Sequence, residues 1–155
     1  MGRDEVTAST PSDPERPPLL LLDTHALVWL VFGTSALGAK AHNEIDLAAQ
    51  DDHLALSAIT PWEIGMLARK KKIELYRDPL DWVQAALSLK GIRLIPLGPE
   101  IAVGSNQLPF DMHADPADRI LVATARHLAA TLVTADRALL ELAKSGHFRA
   151  MDAAT

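Results

Sequence analysis

Short, wholly apolar runs alternate along the chain with longer segments in which apolar residues recur every three or four positions. Leu19 to Leu22 form the first run, four leucines in succession, as expected of a strand buried on both faces. Residues 24 to 32 predict a helix ending at Gly33. A second helix is expected within residues 34 to 50, capped by Thr34 or Ser35, with Leu37, Ala41, Ile45 and Ala48 along one side. His53 to Ile59 read as a second strand. From Thr60 the grammar is helical again: Thr60 as N-cap, Pro61 in the first position, lysines at the C-terminal end. Asp78 to Gly91 predict a further helix, Ile92 to Leu97 a third strand, and Gly98 to Leu108 a weak helix interrupted by Gly104. After a loop at Pro109 to His113, residues 115 to 130 form the most apolar helix, expected to be buried. "TLVTAD" is a fourth strand, Arg137 to Gly146 a last helix, and residues 147 to 151 an edge strand.

Strands alternating with helices predict a mostly parallel sheet of four to five strands wrapped by helices. With 155 residues, 48% of them hydrophobic, the chain suits one compact domain, expected over residues 18 to 151. Residues 1 to 17 are polar and proline-rich and read as a flexible tail without the apolar core of a signal peptide. No apolar run approaches the length that spans a membrane.

In parallel sheets flanked by helices, ligands bind beyond the C-terminal ends of the strands. That rule singles out four acids. Asp23 ends the first strand, Glu63 follows the second, Asp136 ends the fourth, and Asp118 lies in the first turn of the helix before it. Gathered at one edge, like charges repel, so either some of them hold protons or a cation lies among them. Taken singly, most have an ordinary explanation. Thr60 and Glu63 spell a capping box, Asp115 and Asp118 fit a helix start, and Asp136 can cap the last helix. Asp78 to Asp81 repeat the Asp-Pro-x-Asp pattern at no expected strand end, so that signature alone says nothing of function. Asp23 has the weaker structural excuse, because it follows a wholly apolar strand. The case for a site rests on the joint arrangement.

Net charge narrows the chemistry. At −5 the chain is no broad phosphate neutraliser, and any action on nucleic acid calls for a local device such as a metal ion. The absence of cysteine excludes disulfides and thiolate metal sites and points to a reducing cytoplasm. An all-oxygen cluster favours a hard cation, Mg²⁺ or Mn²⁺.

Three blocks, "LLLDTHALVW", "LSAITPWEIGMLARKKKIEL" and "HADPADRILVATARHLAATLVTADRAL", resemble in order and spacing the PIN domain, and within it the VapC-like toxins of bacterial toxin–antitoxin systems. The resemblance covers roughly residues 19 to 150. It implies a three-layer α/β/α sandwich and a metal-dependent ribonuclease with Asp23, Glu63, Asp118 and Asp136 as its acids. Asp115, at a position often acidic in this branch, is a helper or simply a cap. It implies RNA as substrate, products with a 5′-phosphate and a 3′-hydroxyl, a cognate antitoxin that inserts a segment into the acidic groove, and a homodimer. The apolar "ALVWLVFG" is a candidate for either protein contact. Which RNA is cut is not legible.

Other residues earn lesser roles. Thr24, Ser57 and Thr134 are placed to hydrogen-bond carboxylates or water. Arg119 is expected to pair with a neighbouring acid. His25 and His113 are candidate substrate contacts, although a histidine on a helix more often packs than ligates. Lys70 and Lys71, within the run Arg69 to Lys72, read first as a solvated helix end and second as an RNA-backbone contact. Two other classes compete. A phosphotransfer domain also places an Asp after its first strand, but it wants a late lysine near the acids, and Lys144 is the only one. A PIN-fold module that binds without cutting would be marked by a lost acid, and none is lost.

Overall fold

The computed structural model describes residues 18 to 155, so the tail expected over residues 1 to 17 lies outside the described residues. The strands are β1 (Leu20–Leu22), β2 (Leu54–Ser57), β3 (Ile92–Ile95), β4 (Thr131–Thr134) and β5 (Arg149–Asp152). Between them lie α1 (Thr24–Phe32), α2 (Ala39–Gln50), α3 (Ile59–Arg69), α4 (Pro79–Leu87), α5 (Pro99–Gly104), α6 (Pro116–Leu128) and α7 (Arg137–Ala143). The strands form one sheet in the order β3-β2-β1-β4-β5, and every pairing is parallel.

The leucine run explains the layering. Successive strand side chains point to opposite faces. Leu20 and Leu22 enter one core, with Ala26 and Leu27 of α1, Ala41 and Ile45 of α2, and Ile64 of α3. Leu21 enters the other, with Leu121 and Val122 of α6 and Leu139 of α7. β2 and β4 split likewise, Leu54, Leu56 and Val133 to the first core, Ala55 and Leu132 to the second. Helices therefore cover both faces, which is the three-layer sandwich. Each fully buried leucine contributes about 1.5–3 kcal/mol. The outer strands are the most exposed, and each carries an exposed arginine, Arg93 on β3 and Arg149 on β5.

Connectivity fixes where a ligand would go. From β1 the chain moves outward to β2 and β3, then crosses back to lay β4 on the other side of β1. The ends of β1 and β4 therefore border the crevice at which the strand order reverses.

Several helix starts differ from expectation. α2 begins at Ala39, with Gly38 rather than Thr34 or Ser35 as its cap. The reason is remote in sequence: the Gly38 and Ala41 amides donate to the carbonyls of Ala153 and Thr155, both at 2.9 Å, so no hydroxyl cap is needed. α3 begins at Ile59, so Thr60 is inside the helix and buried rather than its cap. α4 ends at Leu87, short of Gly91, which instead turns the chain into β3. α6 is amphipathic, not wholly buried: Leu121 to Ala125 face inward while Arg126 and His127 are exposed. Asp78 only caps α4, accepting from Leu80 and Asp81 amides at 3.1 and 3.3 Å. Of "ALVWLVFG", Ala26, Leu27 and Val28 are buried in the core, leaving Phe32, 39% exposed, as its main apolar surface. Among the described residues no helix is long and apolar enough to cross a membrane.

Two glycines test the packing. At Gly33 (φ +66°), which ends α1, an added Cβ would meet nothing within 4 Å, whereas at Gly91 (φ +83°) a Cβ would stand 2.1 Å from the Ala49 carbonyl oxygen. Gly33→Ala should cost only the left-handed conformation, about 1–2 kcal/mol. Gly91→Ala should cost clearly more, because rigid backbone must also move. Chemical denaturation of the two variants checks the order.

Candidate active site

The site begins where the apolar strand stops. Asp23 is the first residue after β1. Its amide donates to the Val133 carbonyl at 3.0 Å, prolonging the β1–β4 ladder, and its Oδ1 accepts from the Ala26 amide at 2.8 Å, which caps α1. The charge at the end of the leucine run thus has a structural excuse after all. Asp23 is a helix cap, as Asp136 and Asp115 are. Asp136 Oδ1 accepts from Ala138 and Leu139 at the start of α7, at 2.8 and 3.1 Å. Asp115 Oδ1 accepts from the Asp118 amide at 3.1 Å.

Glu63 caps nothing: α3 has no side-chain cap bond and no acid in its first turn, which removes the capping-box explanation. Instead the Thr24 hydroxyl donates to Glu63 Oε1 at 2.5 Å, and Thr60 Oγ1 stands 3.2 Å from Thr24 Oγ1. With the Thr24 proton given to Glu63, Thr60 is the donor to Thr24. Asp118 Oδ2 lies 3.2 Å from Nε2 of His113. Thr134 accepts from the Asp136 amide at 3.1 Å and donates to the Asp23 carboxylate.

The acids line one cavity of about 360 Å³. Asp23, Glu63, Asp115, Asp118 and Asp136 are all on it, with Thr24 and the exposed His25. Trp29, Leu121 and Ala135 add apolar wall. The sequence singled out none of these three as part of the site. Trp29 falls one turn after His25 and Thr24, so helical spacing alone puts it on that side.

Other candidates fall elsewhere. Ser57 Oγ accepts from the Ile59 amide at 3.0 Å and serves the turn into α3 rather than a carboxylate. Arg119 does not pair with an acid. Its Nε donates to the Ser105 carbonyl at 2.9 Å and one Nη to the carbonyls of Met112 and His113 at 3.2 and 3.3 Å. Lys70 and Lys71 follow the last turn of α3, about 10 Å of helix rise beyond Glu63, and neither lines the acidic cavity. Lys144, the lysine a phosphotransfer site would want, is bonded instead to Glu141 at 3.2 Å.

Crowding and burial act together on the carboxyls. Burial pushes Asp23 up, against the bonds from Thr134 and Ala26. Glu63 is also raised, by burial first, with Thr24 opposing and the charges of Asp115 and Asp23 adding. Asp118 moves furthest, to about 6, through burial and then repulsion from Asp115 and Asp136, with His113 opposing.

Charge and donor type fit a hard divalent cation: five carboxylates, no sulfur, and neighbouring acids whose repulsion adds to burial in raising Glu63 and Asp118. As placed, no three His, Asp or Glu side chains among the described residues stand close enough to form a ready ligand set. Each acid is held by its own donor. In Glu63, Asp118 and Asp136 the named bonds use one oxygen, and a carboxylate has a second.

The PIN domain model matches residues 20 to 145. The chain is 34% identical over 120 residues to Ribonuclease VapC22 of Mycobacterium tuberculosis, covering 77% of this chain and 88% of that protein. In fold it is similar to VapBC2 of Rickettsia felis bound to a promoter DNA fragment (TM-score 0.63, 17% identity, 85% of this chain and 96% of that one). It is similar also to DNA-bound VapBC of Salmonella typhimurium (TM-score 0.62, 16% identity, 86% and 96%).

The raised carboxyl of Asp118 has a consequence for stability. An acid whose pKa rises on folding binds its proton more tightly in the folded state. Its contribution is therefore full below the unfolded value of 3.8 and is lost as pH climbs through about 6. With divalent ions removed, Asp118→Asn should be more stable than the parent at pH 7, by about 1–2 kcal/mol after allowance for its partial exposure, and no more stable near pH 3.5. Urea unfolding at the two pH values measures the difference.

Proposed function

The chain belongs to the PIN domain family, and on that premise we propose that it is a metal-dependent endoribonuclease, the toxin of a toxin–antitoxin pair. The observation that carries the reading is the cavity: five carboxylates gathered where β1 and β4 end, in a chain 34% identical to a protein named as a ribonuclease. Asp23, Asp118 and Asp136 would hold Mg²⁺ or Mn²⁺, with Glu63 holding water or a second ion. A divalent ion bound there supplies charge neutralisation for the phosphoryl oxygens and lowers the pKa of water for in-line attack.

The rest of the chemistry belongs to the chain. Ala26 and Thr134 fix the Asp23 carboxylate, and Thr24, steadied by Thr60, fixes Glu63. Trp29 and Leu121 lower the dielectric of the wall, which strengthens every charge interaction inside. His25, exposed at the cavity, can donate a hydrogen bond to a phosphate. RNA fits this reading as a single-stranded or looped segment recognised by shape and by its bases, since the acidic chain has little basic surface to follow a duplex. Lys70 and Lys71 would meet only a strand running well past the cavity.

The partner in this reading is a cognate antitoxin protein that enters the acidic cavity, and the active assembly is a homodimer. The structural neighbours described as VapBC are consistent with a two-protein complex. An RNA substrate and a cysteine-free chain suit a reducing cytoplasm.

In Mg²⁺ the protein should cut RNA to fragments carrying 5′-phosphates and 3′-hydroxyls, and chelation should stop it. Asp23→Asn and Asp118→Asn, shown folded by circular dichroism, should lose at least about 100-fold in rate, some 3 kcal/mol of transition-state stabilisation. Cleavage by either variant at the parent rate would sink the reading.

A further inference from the structure

We propose that His113 is a positioning residue that orients Asp118 toward the cavity, and that Arg119 in turn sets His113. The inference rests on the metal-site reading above. Four side chains and two backbone amides carry it.

Nδ1 of His113 accepts the Asp115 backbone N–H at 3.3 Å. A ring nitrogen that accepts carries no proton, so the proton is on Nε2. That nitrogen stands 3.2 Å from Asp118 Oδ2 and donates to it. The Asp115 amide thus selects the tautomer that can hold Asp118; the other would set a lone pair against a carboxylate. Asp115 closes the circuit, since its Oδ1 accepts the Asp118 amide at 3.1 Å. Within the segment from His113 to Asp118, the amide of Asp115 aims the imidazole and its carboxylate anchors the residue the imidazole holds.

Arg119 explains how a loop residue keeps this geometry. From the first turn of α6 its guanidinium bonds the Ser105 carbonyl and also those of Met112 and His113. Its donors tie the two ends of the loop before α6 to one rigid helix. His113 does not line the cavity and touches it only through Asp118, which is why its role is positional. It occupies Oδ2 and leaves Oδ1 of Asp118 for the cavity. Asp23 and Glu63 show the same arrangement with hydroxyl donors, from Thr134 and Thr24. Asp118 has an imidazole in that place. Outer partners of this kind commonly change metal affinity 10–100-fold when removed.

The test is calorimetric titration of the full chain with MnCl₂. His113→Ala should weaken Mn²⁺ binding about 10-fold while leaving the metal-free thermal midpoint unchanged, as expected for a side chain 44% exposed. His113→Gln, whose amide N–H can reach the same carboxylate oxygen, should recover most of the affinity. In an Asp118→Asn background, His113→Ala should have no further effect. Parent-like Mn²⁺ affinity in His113→Ala overturns the proposal and leaves the nuclease reading standing. So does a loss that His113→Gln fails to restore, or one that persists without the Asp118 carboxylate. A parent protein that takes up no Mn²⁺ overturns both.

Discussion

Five carboxylates share one small cavity, and their mutual repulsion is the constraint around which this molecule is built. Left to themselves, such groups would turn outward to water or protonate. Here each is held inward by a donor, and for three of the five that donor costs the fold nothing extra. Asp23 and Asp136 accept the free amides at the starts of α1 and α7, amides that need partners in any case. Asp115 does the same for α6. Helix capping and charge placement are one set of bonds. The positive ends of these helices also offset part of the repulsion, because each N-terminus favours a negative neighbour.

The sheet supplies the rigidity that this crowding requires. β1 is only three residues long, yet each of its side chains is buried, alternately in two separate cores. Asp23 is bonded to β4 by its own amide and to α1 by its carboxylate, so it has little freedom to relieve strain by moving. The short strand and the early start of α1 together set the charge at the switch point of the sheet.

The alternation of apolar runs was enough to read the layers, the parallel sheet and the edge at which acids collect. The periodic face of α2, Ala41, Ile45 and Ala48, is buried as read. What the sequence hid were bonds between residues far apart in the chain. The start of α2 differs from its sequence grammar because its partners, Ala153 and Thr155, lie more than a hundred residues away. Thr60 looks like a cap because Thr-Pro-x-Glu is capping grammar, but the helix starts two residues earlier than that grammar implies and the Thr60 hydroxyl turns to Thr24. Charge alone assigns Arg119 to an acid, while loop carbonyls are its acceptors. Asp23 erred in the opposite direction. From the sequence its structural excuse is the weaker one, yet it is as much a cap as its neighbours.

That last case bears on how such sites are recognised. In the sequence, cap and ligand stand as rival explanations for each acid, and the geometry removes the rivalry. A capping carboxylate already has its orientation fixed by a backbone amide, and it retains lone pairs for a further partner. Glu63 and Asp118 cap no helix with their side chains, and they are the two whose orientation falls to side-chain donors, Thr24 and His113. The distinction that matters is therefore not whether an acid caps a helix, but whether several acids, whatever first holds each of them, are brought to one cavity. Asp78 makes the contrast: it caps α4 as well as any of them, and with no second acid brought to it by the sheet it remains only a cap.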